Sequence, residues 1–168
     1  MTLAINKLQQ LKDSAKSFAG LMALYESNYI RFMQLVPQLD GLSEQACSVR
    51  SGDISLQLQV LERSRFTTTC HLTYLLDDGV KKIKTPDLKI RIYHDARQAE
   101  VMCCNRQEKD AFGWLDRAAC VSNLQWRWRL NRFLYKWLNY CLKQGHGFPQ
   151  QNSGLSWKSL INLDESNL

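Results

Sequence analysis

Long apolar runs are missing from this chain, and with them any stretch able to cross a bilayer as a helix. No Cys-x-x-Cys pair occurs, and the three histidines, His71, His94 and His146, lie far apart, so a structural zinc site is not expected. There is no Gly-rich phosphate loop, no nucleophile elbow and no metalloprotease motif. These absences remove the recognisable routes to catalysis and imply no cofactor. The opening residues MTLAINKLQQLKDSAKSF lack the charged-then-apolar layout of a secretory signal, so residence in the cytoplasm is expected. Its six cysteines (Cys47, Cys70, Cys103, Cys104, Cys120, Cys141) are scattered, which favours reduced thiols over a disulfide framework.

Acid is also missing where base is plentiful. From Ser122 to His146 there are five Lys/Arg and no Asp or Glu, and from Lys81 to Arg97 six Lys/Arg face only Asp87 and Asp95. Net charge is +6 with a pI near 9.1, which permits attraction to anionic partners but equally describes solvated basic faces.

What is present suits one α+β domain of ordinary size, 168 residues with 45% hydrophobic and 23% charged. Leu21, Met22, Tyr25, Tyr29, Phe32, Met33 and Val36 recur at helical spacing, which predicts an amphipathic helix over 20–36 stopped by Pro37. From Gln45 to Cys104 the period changes to two. Ile54, Leu56, Leu58 and Val60 alternate with Ser55, Gln57 and Gln59, and Leu88, Ile90 and Ile92 alternate with Lys89, Arg91 and Tyr93. Five short strands in an antiparallel meander are the economical solution. A second helix, LQWRWRLNRFLYKWLNYCLK, places Leu130, Phe133, Leu134, Trp137, Leu138 and Cys141 on one face, with Gly145 as its stop. Both helices are expected to cover one face of the five-stranded sheet. The other face is expected to stay polar, with Thr67, Thr69, His71 and Thr73 among its residues. The domain spans 20–146, after an N-terminal extension over 1–19 that can form a short helix. A polar tail over 147–168 is expected to be mobile.

The stretch IRIYHDARQAEVMCC gathers a phenol, an imidazole, a carboxylate and two thiols. Neighbours along a strand point to opposite faces, so Tyr93 and His94 should diverge, as should Cys103 (core side) and Cys104 (open side). Asp95 can bond its own turn. A hairpin turn is thus favoured over an acid–base centre. In a meander alternate turns share a sheet edge, so the turn with Glu62, Arg65 and Thr67 should lie near Arg91, Tyr93, His94, Asp95 and Arg97, with centres about 10 Å apart. One ligand or partner could touch both. A Glu62–Arg91 pin between hairpins is the plain alternative. Along the second helix, Arg127, Arg129, Arg132 and Lys136 form a candidate basic face, while the Trp126–Arg129 cluster is expected to pack on the core or a sheet edge.

NYIRFMQLVP, LERSRFTTT, KIRIYHDARQAEV and NRFLYKWLNYCLKQGH occur in this order, and together they resemble the YqiB-like family of small bacterial proteins carrying a domain of unknown function. The resemblance implies a cytoplasmic protein of Gram-negative bacteria and assigns no activity, cofactor or ligand. Three readings stand at this point. One is a non-enzymatic binding or regulatory module for a protein partner or a small anionic ligand, acting as monomer or homodimer. Another is an enzyme of unrecognised type using His94 with a nearby carboxylate such as Asp95 or Glu62. The third is a weak nucleic-acid binder through the basic helix.

Overall fold

Ser17 begins the first helix by accepting the Gly20 N–H on its hydroxyl at 3.1 Å, satisfying one donor of the opening turn. The computed structural model describes residues 17–52, 54–77, 79–102 and 124–149. Helix α1 (Phe18–Leu35) ends where Pro37 removes the next donor, and the Val36 N–H closes its last turn on Phe32 O. A short 3₁₀ turn, Leu39–Gly41, leads into the sheet.

The five strands are β1 (Gln45–Ser48), β2 (Ser55–Arg63), β3 (Thr67–Asp77), β4 (Lys82–Tyr93) and β5 (Gln98–Val101), all antiparallel in the order 1-2-3-4-5. The meander expected from the period-two alternation is the fold. Register shifts fall between Val60 and Glu62 and between Thr73 and Leu75. Strand β4 starts six residues before the LKIRIY segment and contains Pro86. Proline is tolerated there because β5 pairs only with Ile90–Tyr93, which leaves the first half of β4 as an edge.

Alternation sends Leu56, Leu58, Cys70, Leu72, Leu88, Ile90, Ile92 and Ala99 to one face, where nearly all their surface is lost. Helix α2 (Leu124–Lys143) supplies Leu134, Trp137, Leu138 and Cys141 to the same core, and α1 supplies Phe32 and Leu35. Helix α1 also leans against α2 and β5. A Schellman motif ends α2: His146 N–H bonds Cys141 O and Gly145 N–H bonds Leu142 O, both at 3.0 Å, with Gly145 at φ 82°. The chain stays packed beyond this point. Phe148 is buried and its N–H bonds Leu35 O at 2.8 Å, so Gly147 and Phe148 lie against the domain although their composition had placed them with the tail.

Two expectations about α2 are corrected. Phe133 is 37% exposed rather than in the core, because the helix is rotated to aim Leu130, Leu134 and Leu138 inward. Arg127 does not share the basic arc: it lies on another side of the helix, half exposed, 4.0 Å from Glu100 of β5. Cys103, Cys104 and the connection that follows lie outside the described residues, as do most of the N-terminal extension and the rest of the tail. No described helix is long and apolar enough to cross a membrane.

Candidate functional site

The two hairpin tips, 64–66 and 94–97, lie together at one end of the sheet, as the meander requires. They touch directly: His94 N–H donates to Phe66 O at 2.9 Å. Thr67 pairs with Tyr93 in the register below. Arg65 stacks its guanidinium 5.0 Å from the Phe66 ring centroid, and Phe66 is half exposed. Arg97 occupies a left-handed turn position at φ 52°.

The neighbours His94 and Asp95 turn to different partners, as a hairpin turn allows. His94 Nε2 lies 2.8 Å from Thr68 Oγ1 on the helix-facing side. Asp95 accepts the Ala96 N–H on Oδ1 at 2.8 Å, which holds it in its own turn. The carboxylate near His94 is that of Asp40, 4.0 Å away and 89% exposed. Arg63 fixes the 3₁₀ turn beside it, donating to Leu42 O at 2.6 Å and Leu39 O at 3.3 Å.

Tyr93 points to the opposite face and donates its hydroxyl to Glu100 Oε1 at 2.7 Å. Burial, then the Glu100 carboxylate, push the Tyr93 phenol above its usual range. Arg127 stands 4.0 Å from Glu100 Oε2. Arg91 donates to Thr69 Oγ1 at 3.3 Å, and Glu62 sits across Thr69 on the far side. Thr69 therefore occupies the strand between the two residues of the Glu62–Arg91 pin. The candidates thus share one end of the sheet but divide between two faces. Arg65, Asp95 and Arg97 are at the tips, His94 turns towards the helices, and Glu62, Thr67, Arg91 and Tyr93 are on the polar face.

Sequence reasoning missed a tighter cluster on that polar face. His71 Nδ1 lies 3.0 Å from Asp87 Oδ1, and Thr73 donates its hydroxyl to the same oxygen. Burial disfavours the Asp87 charge, yet the hydrogen bonds from His71 and Thr73, then the His71 and Lys84 charges, outweigh it and hold the carboxyl below its usual range. An ionised Asp87 fixes the proton on Nδ1 of His71. The pairing staples β3 to β4 where the register shifts after Thr73, and this structural role accounts for it. Its signal was the placement of His71 and Thr73 on one face, but the partner depended on a register that the bulge conceals. Also missed was Ser48, whose hydroxyl lies 3.1 Å from His146 Nδ1 and accepts the Gly147 N–H at 3.2 Å. Among the described residues no group of three His, Cys, Asp or Glu side chains is placed to hold a metal.

Residues 31–147 match the family described as "Protein of unknown function (DUF1249)". The chain belongs to this family. It is also similar to the "Uncharacterized protein YqiB" of Escherichia coli strain K12, with 27% identity over 139 residues, covering 80% of this chain and 95% of that protein. Matches of the same identity and extent occur in Escherichia coli O6:H1 and O157:H7. No solved structure matches. The matched region runs from the last five residues of α1 to the Ser48–His146 contact and includes both hairpin tips and all of α2.

Proposed function

We propose that the protein is a non-enzymatic binding module whose joined hairpin tips dock a protein partner. The observation that carries this reading is the ledge made by the His94–Phe66 backbone bond, which presents a half-exposed Phe66 under the Arg65 guanidinium. Leu61, 43% exposed at the β2 bulge, is a further exposed apolar side chain on the strand that leads to this tip. Exposed aromatic and arginine side chains on rigid backbone are what the energetic centre of a protein interface uses.

Charge separates this reading from a small anionic ligand. Arg63, Arg65 and Arg97 at this end are matched by Asp40, Glu62 and Asp95, so the ledge has mixed sign. A phosphate or carboxylate ligand needs converging cations; a protein surface can match an alternating pattern.

Phe66→Asp and Arg65→Glu alter exposed side chains and should leave the melting temperature unchanged. Tagged protein purified from its own host is expected to retain a defined protein that both variants lose at least tenfold by quantitative mass spectrometry. Equal retention by wild type and variants would overturn the docking ledge. The small-ligand version predicts instead that a nucleotide or acidic metabolite at about 100 times its dissociation constant stabilises the wild type by about 3 kcal/mol. That stabilisation, lost in Arg65→Glu and Arg97→Glu, would replace the protein partner with an anion.

A further inference from the structure

Helix α2 carries a second surface, at a distance from the hairpin tips in sequence and distinct in chemistry. Arg129, Arg132, Lys136 and Lys143 are exposed and fall within about 60° of helical arc at 3.6 residues per turn. No acid occurs from Ser122 to His146, so the helix itself supplies no counter-charge to them. Arg127, half exposed and facing Glu100 from another side of the helix, is not part of this track. Alongside the cations run two rings on the rim of the helix, Phe133 at 37% and Tyr140 at 47% exposure.

The rings are held in place. Tyr140 meets Tyr74 edge-on with centroids 6.4 Å apart, and Phe133 lies 6.3 Å from Trp137 at 31°. Tyr74 and Trp137 are themselves buried and in edge contact at 5.6 Å, so both outer rings rest on a fixed aromatic base. Seven residues separate Phe133 from Tyr140, about 10 Å along a helix. Rings held this way lose little freedom when a planar group stacks on them.

We propose that this face of α2 binds single-stranded nucleic acid, with Phe133 and Tyr140 stacking bases and the four cations contacting phosphates. Stacking rings beside a positive track is the arrangement that sequence-tolerant single-strand binding needs. A duplex keeps its base faces hidden and is read through groove edges, which rings on a helix rim do not address. An acidic protein would match the four cations but offers few planar groups to two fixed rings. The proposal does not depend on the hairpin ledge.

Fluorescence anisotropy of a labelled oligothymidylate of about 20 nucleotides, titrated with the full chain, tests it. Four phosphate contacts give a slope of log affinity against log salt of about −3 for a single strand. Arg132→Ala combined with Lys136→Ala should bring the slope to about half that value. Tyr140→Ala should weaken binding roughly tenfold with the slope unchanged, because the ring contributes stacking rather than charge. Phe133→Ala should act likewise; if it lowers the melting temperature, Tyr140→Ala alone decides the stacking. No binding at low salt, equal affinity for a duplex of the same length, or full affinity in Tyr140→Ala would each overturn the proposal. Displacement of the oligonucleotide by polyglutamate at equal charge concentration would overturn it in favour of an acidic protein.

Discussion

Asn131 Oδ1 accepts the Val101 N–H at 2.9 Å, so a side chain of α2 satisfies the outer edge of β5. The same residue donates from Nδ2 to Arg127 O at 2.9 Å and receives Asn28 Nδ2 at 3.2 Å on its backbone oxygen. Both asparagines are fully buried. One amide thus joins α1, α2 and the edge strand, and blocks a strand edge that would otherwise invite pairing. Asn131→Leu fills similar space but strands the Val101 N–H. It should cost about 2 kcal/mol, seen as a lower urea midpoint with the m-value retained. An unchanged midpoint would mean that water replaces the amide and the joint is unimportant.

Asp87 predicts an acid-dependent component of stability. Its folded pKa lies below the unfolded value, so its contribution is complete above the unfolded pKa, about 3.9, and is lost as pH falls through the depressed folded value. Asp87→Ala, removing an ionised acceptor of two side chains, should lower stability by about 2 kcal/mol at pH 7. The gap between variant and wild type should narrow steadily below about pH 4. Denaturant melts at a series of pH values measure this, and a gap independent of pH would show that Asp87 is not held ionised.

The Ser48–His146 contact ties the end of α2 to β1. Both side chains are buried, and Ser48 also receives the Gly147 N–H. Ser48→Ala leaves the Gly147 N–H and a histidine nitrogen without this partner, for an expected loss of about 1–3 kcal/mol. Hydrogen exchange at Gly147 should accelerate by more than exchange at Leu72 in the middle of β3. Uniform acceleration across the sheet would instead make the contact part of global stability.

Thiol reactivity should follow burial. Cys47 is exposed on β1, whereas Cys70 and Cys141 are buried, and burial pushes the Cys70 thiol well above its usual range. Native protein treated with an alkylating reagent should modify Cys47 long before Cys70 or Cys141, with peptide mapping to assign each site. Early modification of Cys70 would place its side chain on the wrong face of β3.

The sequence by itself determined the elements and their faces. Strict alternation in ISLQLQV and LKIRIY leaves one side of each strand apolar, and burial of that side needs no knowledge of neighbours. Pro37 and Gly145 likewise act through local backbone chemistry, and a meander makes it inevitable that the two polar turns share an end of the sheet. Tertiary structure decided the rest. His71 found Asp87 because cross-strand partners depend on a register, and the β3–β4 register shifts at a bulge between Thr73 and Leu75. Arg127 turned towards Glu100 and Phe133 moved to the rim because the rotation of α2 follows the shape of the core beneath it. Asn28, Asn131, Ser48 and His146 gave little local signal, since a buried polar side chain acquires its role only when the fold brings it a donor or acceptor that water can no longer reach.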